Sequence, residues 1–211
     1  MRRLGLWIEF TGFFIVLPFA LFLFRESLKR MVIPSLLAGL LIFLTLLLRD
    51  KSFDRKKLWL PDGFLSNLMP VLVRLIAGGI LLSIILKIRN PDLLFNFMKS
   101  EPRIWIMVMI LYPLVSVYPQ EIIYRAYFFH RYKPLFPHPR AMITASGLCF
   151  GLVHIFFFNA WALTLSTIGG IMFAWTYHRS GSILFSSIEH GLWGDFIFTI
   201  GLGLYFYGGA I

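Results

Sequence analysis

The chain contains one cysteine, Cys149, among 211 residues. A lone cysteine forms no intrachain disulfide and builds no thiolate metal cluster. Charge is scarce as well. Asp, Glu, Lys and Arg make up 14% of the residues, against roughly 25% in a soluble domain. Acidic residues are the rarer sign, 10 against 20 basic, which leaves a net charge of +10. No basic stripe is interleaved with aromatics, so a nucleic-acid partner is not expected. The basic residues instead cluster in short segments between apolar runs, as anchors to anionic lipid headgroups do. Internal repeats, low-complexity tracts and a compositional break marking a second domain are also missing.

Apolar residues are abundant, at 58% of the chain. They gather into runs of about 17 to 23 residues, the length a helix needs to cross roughly 30 Å of hydrocarbon at 1.5 Å per residue. Candidate spans cover 6–24, 32–48, 65–88, 104–127, 141–157, 161–177, 183–193 and 195–207. The run 183–193 is too short to cross alone; it is either a partial helix or joins its successor through Gly191 and Gly194. The expected fold is an all-α, polytopic membrane bundle of seven or eight transmembrane helices. It forms one integral membrane domain, with N-terminal helices and loops over 1–103 and a catalytic-type core over 104–211.

Polar connections punctuate these runs. The segment 49–60 carries five basic residues and two Asp. Asn90-Pro91-Asp92 is a turn signal and precedes a surface helix. Pro134, Pro137 and Pro139 forbid helix between 131 and 140. Arg2 and Arg3 lead the first run as in a signal peptide, but Glu9 lies inside it and no small-residue cleavage pattern follows, so it reads as a retained span. With the N-terminus cytoplasmic, eleven Lys and Arg fall on the inner side and seven on the outer, the sense of the positive-inside rule. The expected location is a bacterial plasma membrane.

An ionisable group inside a membrane helix costs roughly 2.5–3.5 kcal/mol on insertion scales, so each one asks for a reason. The candidates are Glu9, Arg74, Glu121, Arg125, His154, Glu189, His190 and Asp195. Glu121 and Arg125 are four apart on one helix and can pair, with Gln120 about 100° around from Glu121. Pro113 and Pro119 interrupt helical hydrogen bonding nearby, and opened backbone at membrane depth lines a protein-buried or watery cavity. A self-neutralising ion pair is the bland alternative. His154 lies one turn after Phe150. His190 is bracketed by Glu189 and Asp195. Glu9 and Arg74 pair with each other or snorkel and take no catalytic part, while His130, His138 and His178 read as solvated residues.

A carboxylate, an arginine and two histidines on three separate spans can activate water. The Glu accepts a proton from water, one His shares that water or protonates the leaving amine, and a second His donates to the developing oxyanion. Two His and one Glu are also a zinc set, but no His-Glu-x-x-His helix is present, so zinc is the lesser option and no cofactor is expected.

The order Gln120-Glu121-x-x-x-Arg125, Phe150-x-x-x-His154 and His190 resembles the CAAX protease and bacteriocin-processing family of intramembrane endopeptidases over roughly residues 104–205. That family carries Glu-Glu-x-x-x-Arg, Phe-x-x-x-His and His-x-x-x-Asn on successive membrane helices. The resemblance implies a glutamate-dependent protease acting on a membrane-associated protein or peptide. It matches Glu121 and Arg125 to the second Glu and the Arg, His154 to the middle histidine and His190 to the last. Gln120 stands where the first glutamate belongs and Gly194 where the asparagine belongs. The base role then passes to Glu121, with Asp195 orienting His190. The alternatives are an inactive member serving as a membrane scaffold and, last, a small proton-coupled transporter.

Overall fold

The computed structural model describes residues 3–206; Arg2 and the end of the run 195–207 lie outside the described residues. Every regular element among them is helical. The long helices are α1 (Arg3–Leu23), α2 (Arg25–Arg49), α3 (Phe64–Arg89), α5 (Pro102–Arg131), α6 (Pro139–Phe157), α7 (Ala160–Ser180) and α8 (Ile183–Ile200), with a short α4 (Asn96–Ser100) after the Asn90 turn. The first five of those long helices are long and apolar enough to cross a membrane. Helices α7 and α8 fall outside that set, so five of the seven or eight expected spans meet length and composition among the described residues.

Two boundaries bear on the expected runs. The regular α-helical part of α2 is Val32–Arg49, as expected for the run 32–48, and a short helix at Arg25–Leu28 and a 3-10 turn at Lys29–Met31 lead into it after the break at Phe24 (φ −100°, ψ 15°). Of the two alternatives for the run 183–193, it joins its successor through Gly191 and Gly194, in a helix that ends at Ile200 before a turn at Gly201.

Exposure follows a lipid-facing pattern. On α3, Leu65, Met69, Val73, Ile76, Ile80, Ile84 and Ile88 are all exposed, spaced three or four apart down one face. A continuous apolar stripe of this length is what a helix presents to hydrocarbon, and it would be an aggregation site in water. The opposite face buries Val71, Leu82 and Leu86.

Two parts of the protein-facing interior position the site. Phe10 and Phe14 of α1 meet Phe128, Tyr132 and Phe136 in mostly edge-to-face aromatic contacts, with ring centroids 5.0 to 6.0 Å apart. Such pairs add about 0.5–1.5 kcal/mol each beyond their area. The second part is the α6–α7 hairpin, the most extensive helix pairing in the chain. A Cβ on Gly170 would lie 2.8 Å from the Gly147 carbonyl oxygen, so the two backbones touch there directly. Small residues permit this approach, the usual device of membrane helix pairs.

Candidate active site

The site begins with the irregularity of α5. Pro113 and Pro119 each lack the N–H that a regular helix would donate, and their rings crowd the preceding turn. The helix accommodates them by widening into π turns at Pro113–Val117 and Ile122–Tyr127, on either side of Tyr118–Glu121. Single π turns within α-helices recur at functional positions because they re-aim side chains. The opening expected from the two prolines is therefore realised as widened helix.

Glu121 and Arg125 are both fully buried. The Arg125 Nε lies 3.4 Å from Glu121 Oε2, and Glu121 Oε1 is 3.0 Å from His190 Nδ1 on α8. Arg125 donates through Nη1 to Ser146 Oγ at 3.1 Å and to the Tyr124 carbonyl at 3.4 Å, and its guanidinium stacks 4.9 Å over the Phe150 ring. Despite these contacts, Glu121 Oε2 and Arg125 Nε and Nη2 are buried without a hydrogen-bond partner. Buried polar groups are nearly always satisfied, so a carboxylate oxygen and two guanidinium nitrogens without partners in one place keep bonding capacity for another polar group.

The two histidines have their tautomers set by their partners. An ionised carboxylate only accepts, so His190 Nδ1 carries the proton it donates to Glu121. Its Nε2 is then a lone pair and accepts from the Tyr112 hydroxyl at 3.2 Å. His154 donates Nδ1–H to the Phe150 carbonyl, one turn back, at 2.7 Å, which leaves its Nε2 as an open acceptor. The Phe150 ring stands between them, with centroids 4.8 Å from His154 and 5.2 Å from His190. Phe173 of α7 stacks flat on His190 at 4.5 Å. Glu121, Arg125 and His190 thus converge directly, and His154 borders the same ring from the far side.

Other candidates go elsewhere. Gln120 donates to Ser116 Oγ at 2.8 Å along its own helix, and its Oε1 is buried and unpartnered. Both ring nitrogens of His190 are engaged by Glu121 and Tyr112, so the orienting role expected of Asp195 belongs to those two groups; the Asp195 Oδ1 is buried without a partner. Glu9 and Arg74 do not pair with each other. Glu9 accepts from Arg131 at 2.6 and 2.8 Å and from Tyr127 and Tyr132. Arg74 bonds Glu189 at 2.7 Å and Thr176 at 2.8 Å, tying α3 and α7 to α8 one residue before His190. His130 is not simply solvated but donates to Asp50 at 2.9 Å, while His138 and His178 are exposed.

Tyr112, Ser146, Phe173 and Thr176 escaped the sequence reading because none is charged and a survey of ionisable residues passes over them. The one available signal was Tyr112 preceding Pro113, where the helix opens. Among the described residues, no three of His, Cys, Asp and Glu group as metal ligands.

No curated protein and no solved structure matches this chain. A family model does, that of the Type II CAAX prenyl endopeptidase Rce1-like proteins, over residues 102–206, which contain all the groups just described on α5 to α8. Through this second half, the chain belongs to the Rce1-like family of membrane proteases.

Proposed function

We propose that this protein is an intramembrane endopeptidase that hydrolyses a peptide bond of a membrane-associated protein or peptide by a water molecule that Glu121 activates. The observation that carries the reading is the buried Glu121–Arg125–His190 cluster, in which Glu121 Oε2 keeps an unused lone pair beside an incompletely bonded guanidinium.

In this reading the open Oε2 holds the water and takes one of its protons. The water oxygen attacks the scissile carbonyl carbon, and the carbonyl π pair moves onto oxygen. Collapse of the tetrahedral species breaks the C–N bond, and the proton passes from Glu121 to the departing amine. Arg125 holds the carboxylate ionised and oriented before the first transfer. His154, across the Phe150 ring with its Nε2 an open acceptor, relays the proton from Glu121 to the amine. His190 locks Glu121 through Nδ1–H; as a neutral ring it has no second N–H to offer an oxyanion, which changes the role expected of it from the sequence.

The test is cleavage of membrane-associated peptides by the purified protein in detergent or nanodiscs. Glu121→Gln and His154→Ala should each lower the rate by about 10²–10⁴-fold, the range for loss of a general acid or base. Undiminished cleavage by both variants would refute the mechanism. A wild-type protein inert towards such peptides would favour the scaffold reading instead.

A further inference from the structure

We infer that the Tyr112 hydroxyl is the hydrogen-bond donor to the oxyanion in this site, occupying the space that Gly194 leaves by having no side chain; this inference rests on the proteolytic reading above.

Peptide hydrolysis develops negative charge on the former carbonyl oxygen, and a donor aimed at that point is commonly the largest single contribution to the rate. The two histidines cannot fill this role as neutral rings, because each gives its one N–H away, His190 to Glu121 and His154 to the Phe150 carbonyl. Arg125 faces Glu121 through Nε and donates to Ser146 through Nη1, so it serves the carboxylate that is bound at His190 Nδ1. The Tyr112 O–H is the donor that meets His190 at its other ring nitrogen, Nε2.

The placement depends on α8. Gly194 follows His190 by four residues and so lies on the same helix face. A Cβ at 194 would overlap the Tyr112 ring and stand 2.6 Å from its hydroxyl oxygen. Gly191, also on α8, lies against Pro113, the residue after Tyr112. The two glycines admit the opened turn of α5, and the phenol enters where a side chain would otherwise project beside His190. Phe198 holds the ring from its other side, edge-to-face at 5.3 Å.

The hydrogen bond to a neutral imidazole also explains how the donor can favour the transition state. At rest the hydroxyl donates to His190 Nε2, and a neutral substrate carbonyl competes poorly for it. As the carbonyl oxygen becomes anionic, a charge-assisted bond to it outweighs the neutral one, and the O–H turns about the C–O axis without moving the ring. The interaction strengthens only as charge develops, which is what raises kcat and not merely binding.

The experiment measures kcat and KM for a cleaved peptide, together with inhibition by the phosphinate analogue of that peptide, whose tetrahedral anion mimics the oxyanion. Tyr112→Phe keeps the ring packing and removes only the hydroxyl. It should lower kcat by about 10²–10³-fold with KM little changed, the cost of losing one oxyanion donor. The inhibition constant for the phosphinate should rise in proportion to the loss of kcat/KM, which a merely structural role would not produce. Gly194→Ala, which pushes the hydroxyl aside, should reproduce both effects and serves as the second variant if Tyr112→Phe folds poorly. A Tyr112→Phe protein with wild-type kcat, or one with reduced kcat and unaltered phosphinate binding, overturns the inference. An inactive wild type instead overturns the proteolytic reading on which it stands.

Discussion

Helix α5 carries two carboxylate–arginine pairs, and they are built in opposite ways. Arg131, at its end, grips Glu9 with two short hydrogen bonds, and Tyr127 and Tyr132 donate to the same carboxylate. Arg125, six residues earlier, faces Glu121 at 3.4 Å without a well-formed hydrogen bond, although that pair is the more deeply buried. Were both merely fastening helices, the buried pair would need the better bonding, because desolvation there costs more. The reverse is found. The Glu9 pair is satisfied; the Glu121 pair is held by its surroundings with bonding capacity unspent, the condition of a group that has something else to bind.

The largest expected effect comes from removing the cation of the Glu121 pair. Arg125→Met keeps length and apolar bulk but leaves Glu121 as an unpaired charge in the interior, which costs about 3–5 kcal/mol. A deep fall in thermal unfolding temperature in detergent, with loss of peptide cleavage, is expected. A stability no lower than that of Glu9 variants would break the comparison, since it would mean that the two pairs are equally expendable.

Next in size is the Glu9 pair. Glu9→Gln weakens the hold on Arg131, a residue still reached by solvent, and loss of charged hydrogen bonds of this kind costs about 1.5–3 kcal/mol. The unfolding temperature should drop while the cleavage rate per folded molecule stays at the wild-type value. A rate that falls along with stability would place Glu9 in the chemistry and erase the distinction.

The contrast between the pairs is also where sequence and structure part. Glu121 facing Arg125 follows from a spacing of four, which survives even the π turn between them. Helix existence was legible because hydrocarbon thickness demands long runs. The bond from His190 to Glu121 was not, since it joins residues 69 apart and no periodicity reports which faces of α5 and α8 meet. Gly191 and Gly194 read only as a place where two runs could join, yet they are also packing residues, small because Pro113 and Tyr112 press against them. Glu9 and Arg74 invited pairing as opposite charges on early apolar runs, but their partners, Arg131 and Glu189, come from later helices and required the tertiary fold to find.

The smallest effect sharpens the comparison from outside the membrane. Asp50, in the loop after α2, accepts from the hydroxyl and backbone N–H of Ser52 and from His130 of α5, a satisfied set of bonds like that of Glu9 but exposed to water. The Ser52 hydroxyl, followed by His130, holds its carboxyl below the usual carboxylate range. A depressed folded-state value means the ionised form is favoured by folding, so its contribution is fully present above the unfolded value of 3.8 and declines as pH falls below it. Comparison of wild type with Asp50→Asn by thermal unfolding should therefore show a slight advantage for wild type at pH 6 that shrinks as the solution is taken below about pH 4. Cleavage at neutral pH should not change. Exposure is what makes this effect small: water competes for every one of these bonds, as it cannot at Glu121. A difference as large as that of Glu9→Gln would mean that bonding, not burial, separates the pairs.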